Sequence, residues 1–555
     1  MLLYFLSRDG CLLRHMLQKT AWTRGCAIAV KECKNVDGKQ ITIGDVNVQI
    51  IKPKDLHLVP QKYINYAHDG TVLLAQTALH HLRWMLQKDS LKQNMFLLGG
   101  PGPLRRQLVM QFLEITEREL EYVALSRDTT ESDLKQRREI RKKSAQYHDQ
   151  AAVRAALYGR VLVLDGIEHA ERNVLPVLNN LLENREMHLE SGKFLMAPER
   201  YDKLLKAHSQ RQLDDWGLLR VSEQFRIVAL GLPIQKYRGT PLDPPLRSRF
   251  QSRNILPYTF QELYEELQQI TPTVPDPRLR QLLTCALTLE TAGEALQLPD
   301  FPLHNLRLAV KMMGANPKLT LQDVLLVLYP FQSILMPDQQ KRVKELLTSM
   351  SLQHISTQSV HRISSQAQDD FVDVYLDEVH LRMPCGSTAL LNRNFVDLPH
   401  QRQVLSSLVQ SYAVGDVCLL GKRGVGKLTL TKQLLHLLHQ SPELMMLYED
   451  MTSSDLLQQR ITNVEGDTIW RDSPLVRAAK TGSVAVLNGL HRLHKSTAVV
   501  LQRVIPLDSG NADKIMHTYK AQSETNKFQV WLKYLDEQTK MLYKTYFLTA
   551  PMATI

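Results

Sequence analysis

The sequence has no two cysteines in a C-x-x-C arrangement. Its six, Cys11, Cys26, Cys33, Cys285, Cys385 and Cys418, are scattered over 555 residues, which argues against a disulfide framework or a cysteine zinc site and fits a reducing compartment. No run of about 18 apolar residues occurs, so no membrane span is expected. Aromatic residues make up 6% against 44% hydrophobic, a balance that suits aliphatic α/β cores better than β-sandwiches. The net charge is +11. No Lys/Arg block is interleaved with aromatics, so nucleic acid is not an expected partner and a basic mitochondrial matrix protein is the simpler reading. Acids are scarce at the start: up to Lys31 the only one is Asp9, against Arg8, Arg14, Lys19 and Arg24. Leu2, Leu3, Leu6, Leu13 and Leu17 can share one helical face. Residues 1–35 therefore read as a mitochondrial presequence, and the expected location is the mitochondrion, on the matrix side.

The chain is too long for one core, and it contains one pattern twice. Phe96-Leu97-Leu98-Gly99-x-x-Gly102 returns as Cys418-Leu419-Leu420-Gly421-x-x-Gly424. Asp128-x-Thr130-x-Ser132-Asp133-Leu134-x-Gln136 returns as Asp450-x-Thr452-x-Ser454-Asp455-Leu456-x-Gln458; both pairs are 322 residues apart, as 99 and 421 are. Arg154-Ala155-Ala156 returns as Arg477-Ala478-Ala479 and Leu164-Asp165-Gly166 as Leu487-Asn488-Gly489, each at 323. Four blocks in one order mark a duplicated domain, since solenoid repeats run to only about 20–50 residues. In the first copy the apolar runs Met95–Leu98, Tyr122–Leu125, Val161–Leu164 and Phe225–Leu230 predict buried strands, and Leu104–Glu119 and Glu171–Asn184 predict helices. Glu186–Met196 alternates around Ser191-Gly192, a hairpin signal. The alternation predicts an α/β fold with a parallel sheet flanked by helices. Residues 258–350 lose the strand pattern and predict a helical lid; 351–385 read as a linker with a short β element.

A phosphate-binding loop needs glycines whose neighbouring N–H groups wrap the oxygens, a Lys for the terminal phosphates and a Ser/Thr hydroxyl for Mg²⁺. The second copy reads Gly421-Lys-Arg-Gly424-Val425-Gly426-Lys427-Leu428-Thr429, after a predicted strand and opening a helix. The hydroxyl position is Leu428, and Thr429, one residue on, points about 100° away. Phosphate cradling is intact and magnesium ligation is in doubt. The first copy reads Gly99-Gly100-Pro101-Gly102-Pro103-Leu104-Arg105-Arg106. Arg105 stands at the Lys position and Arg106 at the hydroxyl position. That loop could hold phosphate loosely or be structural only; Arg keeps the charge but is a planar fork. Hydrolysis also needs an Asp ending a buried strand to hold Mg²⁺ and a neighbouring Glu to orient water. Asp165 fits the first role and is the candidate metal ligand. Gly166 occupies the Glu position, and Glu168 could substitute or be a solvated helix-start residue. The second copy has Asn488 and Gly489 at these places.

This pattern resembles the MoxR/dynein-related branch of AAA+ ATPases. The resemblance is carried by Gly99-Gly-Pro-Gly-Pro-Leu-Arg-Arg106, Ala124-Leu-Ser-Arg-Asp-Thr-Thr130, Asn173-Val-Leu-Pro-Val-Leu-Asn-Asn-Leu-Leu-Glu183, Leu242-Asp-Pro-Pro-Leu-Arg-Ser-Arg-Phe250, Asp455-Leu-Leu-Gln-Gln-Arg460 and Asp472-Ser-Pro-Leu-Val476. It implies tandem P-loop AAA+ modules: a first core at 40–257, the lid at 258–350, and an incomplete second module at 386–505 before a divergent tail at 506–555. By position, Gly421, Gly424, Gly426 and Lys427 match the Walker A motif and Asp165 the Walker B Asp. Arg249 matches the arginine finger; its alternative is a helix-end salt bridge. The sensor positions fall on Leu232 and Leu303. ATP and Mg²⁺ are the implied cofactors, and self-assembly into a ring, or assembly with longer family members, the implied partnership. Two functions remain in play: an ATP-driven remodelling subunit, and a nucleotide-binding scaffold without hydrolysis.

Overall fold

The structure is a computed structural model and describes residues 30–35, 38–66, 72–237, 239–296, 298, 301–350, 362–368, 371–376, 379–384, 395–396, 398–421, 424–498, 500–501 and 529–530. Of the expected presequence 1–35 only Val30–Asn35 lies inside them, as a strand paired with Gly38–Ile43, and of the tail 506–555 only Gln529–Val530.

In the first module the strands are β1 (Asn94–Gly99), β2 (Leu120–Ala124), β3 (Val161–Asp165), β4 (Arg226–Gly231) and β5 (Phe250–Ile255). They lie in the order β5-β1-β4-β3-β2 and every pair is parallel. A sheet covered on both faces buries both side-chain sets. Leu162, Leu164, Ile227 and Ala229 enter one core with Phe96, while Val161, Val163, Val228 and Leu230 enter another with Met95 and Leu97. Because the strands are parallel, the loop after β1 and the acid ending β3 open on one edge of the sheet, separated by β4.

Two helices are shorter than their apolar spacing suggests. The one after β1, α1 (Leu104–Ile115), stops where the Thr116 hydroxyl donates to the Phe112 carbonyl at 2.7 Å and Glu117 adopts φ 50°. The predicted helix over 171–184 is a 3₁₀ turn, Leu175–Leu178, and one helical turn, Asn179–Glu183; Pro176 has no amide hydrogen for a longer ladder. The hairpin around Ser191-Gly192 forms, pairing Met187–His188 with Phe194–Met196. The lid has its own core, built from Phe260–Ile270, Asp276–Leu296, α2 (Leu306–Ala315), Leu321–Leu328 and Pro337–Ser349.

The stretch read as a linker holds a three-stranded antiparallel sheet, Ile363–Gln368, Phe371–Leu376 and Val379–Pro384. Its Val372, Val374 and Leu376 share a core with Leu405, Leu408 and Val409 of α3 (Pro399–Val414). The same device precedes the first module, where Ile41 and Ile43 of another three-stranded antiparallel sheet meet Leu82, Met85 and Leu86 of the helix Gln76–Ser90.

The duplication extends to single hydrogen bonds. Gln136 Nε2 donates to Asp149 and Gln458 Nε2 to Asp472, both at 2.7 Å, closing the hairpins 136–149 and 458–472. The Leu125 amide meets the Asp165 carbonyl and the Leu447 amide that of Asn488, both at 2.8 Å. In the second module β6 (Pro442–Met446) and β7 (Val484–Asn488) pair in parallel, and Gln529–Val530 extends β7's other edge. The strand predicted at Cys418–Leu420 is not formed, although the loop it should feed is in place. In the first module β1 pairs only with β4 and β5, and among the described residues the second module has no counterpart of either. An apolar run with no neighbouring strand among the described residues has no ladder to join.

The first module's lid packs on the second module. α2 lies against α3, and Leu420 joins the lid's core. The two hairpins also meet: Trp470 Nε1 donates to Glu139 at 2.9 Å, the Arg137 guanidinium sits 5.2 Å from the Trp470 ring centre, and the Ile140 amide donates to Thr468 Oγ1 at 3.2 Å.

Candidate functional site

The second module's loop leads into α4 (Lys427–Leu437). Gly424 and Gly426 hold φ 80° and 84°, values that favour glycine. Among the described residues no atom lies within 4 Å of where a Cβ would stand on either, so the cradle is open at both glycines. Lys427 Nζ donates to the Gly421 carbonyl at 2.5 Å, which curls the side chain over the loop; burial lowers its pKa. This arrangement fits a phosphate: open glycine backbone, one ammonium and a helix N-terminus. It does not fit Mg²⁺. Leu428 packs against the module's core, Thr429 is exposed, and the Asn488 amide is turned to Met446 Sδ at 3.3 Å. Val425 is half-buried between the two glycines.

The first module's loop is covered at two of its three glycines and open at Gly100. The Arg105 stem lies 3.4 Å from a Cβ position on Gly99, and His304 Nδ1, from the lid, 3.7 Å from that on Gly102, which has φ 131°. Burial, then the Arg307 charge, push His304 down to about 4, so it is neutral. Arg105 Nε and Nη1 are buried with no hydrogen-bond partner among the described residues, and so is Glu168 Oε2. Burial pushes the Glu168 carboxyl up to about 7; the Arg105 charge opposes this and that of Asp165 adds to it. Glu168 is 4% exposed, not a solvated helix start, and His169 Nε2 stands 3.5 Å away. Orphaned guanidinium donors beside a glycine turn fit an anion.

Asp165 is already engaged. Tyr122, on the neighbouring strand β2, donates its hydroxyl to Asp165 Oδ2. Arg106, in the first turn of α1, hydrogen-bonds Tyr122 and faces Asp165; burial opposes its charge, but these two neighbours outweigh it and raise its pKa. A guanidinium thus holds the place of a metal ion, and Mg²⁺ does not fit here either. Gly166 has φ 79° and its counterpart Gly489 φ 93°, which explains why neither carries the glutamate the chemistry asks for. Leu232, at the first sensor position, is buried. Arg249 follows the helix Pro244–Ser248 and pairs with Glu183 and the Pro245 carbonyl, both in its own module.

Arg307 was missed by the sequence reasoning. It lies one helical turn after Leu303, the assigned sensor position, so the i, i+4 rule could have found it. It pairs with Glu266 and reaches Gln107 of α1 at 3.4 Å, tying the lid to the loop helix.

The profile of the AAA domain (dynein-related subfamily) matches residues 94–250 and again 416–527. The second match runs past the start of the tail at 506. The chain thus carries two matches to the dynein-related AAA domain. Von Willebrand factor A domain-containing protein 8 of Mus musculus is 47% identical over 483 residues, covering 84% of this chain and 25% of that protein. Denitrification regulatory protein NirQ of Stutzerimonas stutzeri is 29% identical over 85 residues, 15% of this chain and 30% of NirQ. Protein NorQ of Paracoccus denitrificans is 28% identical over 98 residues, 17% and 36% of the two chains. This chain therefore spans a quarter to about a third of the length of these relatives.

Dynein-related AAA modules use nucleotide and Mg²⁺ generally, yet this chain lacks the water-orienting acid next to Asp165. Restoring it should not help. Gly166→Glu forces a Cβ into a left-handed turn at a cost of about 1–2 kcal/mol. The expected outcome is a lower unfolding midpoint with no gain in phosphate release, measured by thermal denaturation and a phosphate assay; a gain in turnover would contradict the geometry.

Proposed function

We propose that the chain binds ATP at the second module's loop and acts in the mitochondrion as a nucleotide-binding scaffold with little turnover. The reading is carried by one observation: the open Gly424–Gly426 cradle closed by Lys427, beside a strand end that carries Asn488 and Gly489 and no carboxylate. Phosphate binding needs the first feature; hydrolysis needs what the second lacks. The two domain matches and Asp165 favour the other reading, an ATP-driven remodelling subunit. One assay separates them. Lys427→Ala should weaken ATP binding about tenfold to a hundredfold, the value of a charge-assisted hydrogen bond, as read by titration with a fluorescent ATP analogue. Phosphate release should be near background in both proteins. Turnover in the parent chain that Lys427→Ala abolishes would establish the remodelling ATPase instead.

The mitochondrial assignment rests on the acid-poor, basic residues 1–35. Residues 1–35 fused to a fluorescent protein should deliver it to the matrix, and Arg8, Arg14, Lys19 and Arg24 changed together to Glu should leave it in the cytosol. Cytosolic fluorescence from the unaltered fusion would end that assignment.

Self-assembly follows from the hairpin contact. Inside one chain, Trp470 of the second hairpin docks on Arg137 and Glu139 of the first. By the repeat, Trp470 corresponds to Tyr147, which is 40% exposed, and Glu139 to Ile461, 39% exposed. The same contact between chains would set Tyr147 of one copy on Gln459 and Ile461 of the next, a head-to-tail interface that closes into a ring or runs on. Tyr147→Asp should weaken self-association about tenfold or more, as removal of an interface aromatic does, measured by sedimentation velocity with ATP present. Unchanged association would place the interface elsewhere.

A further inference from the structure

The three positions around Asp165 change together between the modules. Arg106, Tyr122 and Asp165 of the first module correspond, at 322, 322 and 323 residues, to Leu428, Leu444 and Asn488 of the second. The strand register confirms the alignment: Tyr122 sits opposite Val163 and Leu444 opposite Val486, and Ala124 opposite Asp165 and Met446 opposite Asn488. Where the acid is kept, a guanidinium and a phenol satisfy it. Where the acid is gone, both partners are apolar. Neither set leaves an uncompensated carboxylate for a divalent ion, and a half-buried acid without a counter-charge is what would draw one in.

We propose that Arg106 is a built-in substitute for the divalent cation, and that the first module's loop takes a phosphoanion, such as a nucleoside diphosphate, without metal. The anion's donors are Arg105 Nε and Nη1, buried and unpartnered among the described residues at the Lys position, with the unobstructed Gly100 backbone beside them. The Tyr122–Asp165–Arg106 triad holds Asp165 away from ion exchange. Removing the guanidinium exposes the Asp165 carboxylate at the mouth of the loop and turns the site into one that needs a metal. The proposal rests on the nucleotide-binding reading of these loops, but for the first module only.

The test uses the full chain carrying Lys427→Ala, so that the second loop is silenced and the reading of that loop is judged by its own assay. A fluorescent ADP analogue is titrated in excess Mg²⁺ and again in excess EDTA. The expected result is the same affinity in both. Adding Arg106→Ser should create metal dependence, with binding at least tenfold tighter in Mg²⁺ than in EDTA. Arg106→Lys, which keeps a cation, should stay indifferent to metal. Mn²⁺ alone, followed by the loss of its free electron paramagnetic resonance signal, should bind at this site only in the Arg106→Ser protein; this readout needs no nucleotide and no activity. Circular dichroism checks that each variant is folded, and should Arg106→Ser fail to fold, Arg106→Thr and the metal comparison on the Lys427→Ala chain carry the test. A tenfold preference for Mg²⁺ with Arg106 present overturns the proposal. So does metal indifference after its removal, and so does the absence of analogue binding under every condition.

Discussion

Parallel pairing of β1 with β4 and β5 is the constraint on which the rest depends. A parallel ladder has no local contacts, so β1 is held by residues more than a hundred positions away. Its pairing fixes where the chain leaves the sheet, and with it the start of α1, the pose of Arg105 and Arg106, and the angle at which the loop faces the end of β3. The second module shows what happens without it. Cys418–Leu420 has the same apolar run but no adjacent strand among the described residues, and it is not a strand. The glycine turn after it is still made, because that turn is written in Gly424 and Gly426 and in the helix they open. Local chemistry builds the cradle; long-range pairing aims it.

This division also marks how far the sequence could be read. Four of the five strands of the first sheet, the helical lid and the hairpin at Ser191-Gly192 were legible because each is announced by its own residues: buried β-branched and leucine runs, 3.6-residue spacing, a glycine between alternating segments; the fifth strand, the polar edge strand Phe250–Ile255, carries no such run. The early ends of the helices at Ile115 and before Leu175 were less so, since Thr116 and Pro176 act on a ladder whose periodic pattern continues past them. The sheet at 363–384 was half visible. Its alternation at Val372, Val374 and Leu376 was read, but its role needs the facing residues of α3, and a similar sheet at 30–49 becomes comparable only once both are seen against a helix.

The site divides the same way. Loop residues and the end of β3 could be aligned by motif, so Gly421, Gly424, Gly426, Lys427 and Asp165 could be named as candidates from the sequence. What surrounds them could not. Glu168 reads as a solvated residue in sequence and is buried in the fold, beside Arg105 and His169. Tyr122 is one apolar position of a strand until its hydroxyl is seen on Asp165. Arg307 and His304 belong to the lid, about two hundred residues from the loop they cover, and no spacing rule connects segments that distant.

Charge balance ties these observations together. A carboxylate at the end of a central strand is costly unless a cation answers it. In a working nucleotide site that cation arrives with the ligand, and the empty site bears the cost between turnovers. Here the first module carries its own cation and the second carries no acid, so each strand end is neutralised or neutral before any ligand arrives. Both solutions remove the tension that a metal-bound nucleotide would relieve. The lid packs on α3 and the hairpins dock on one another, so the two modules are held side by side by contacts that include none of the phosphate-loop residues. Of the two loops, the first lies under the lid, whose His304 stands over Gly102 and whose Arg307 reaches α1, while among the described residues the second is open at Gly424 and Gly426.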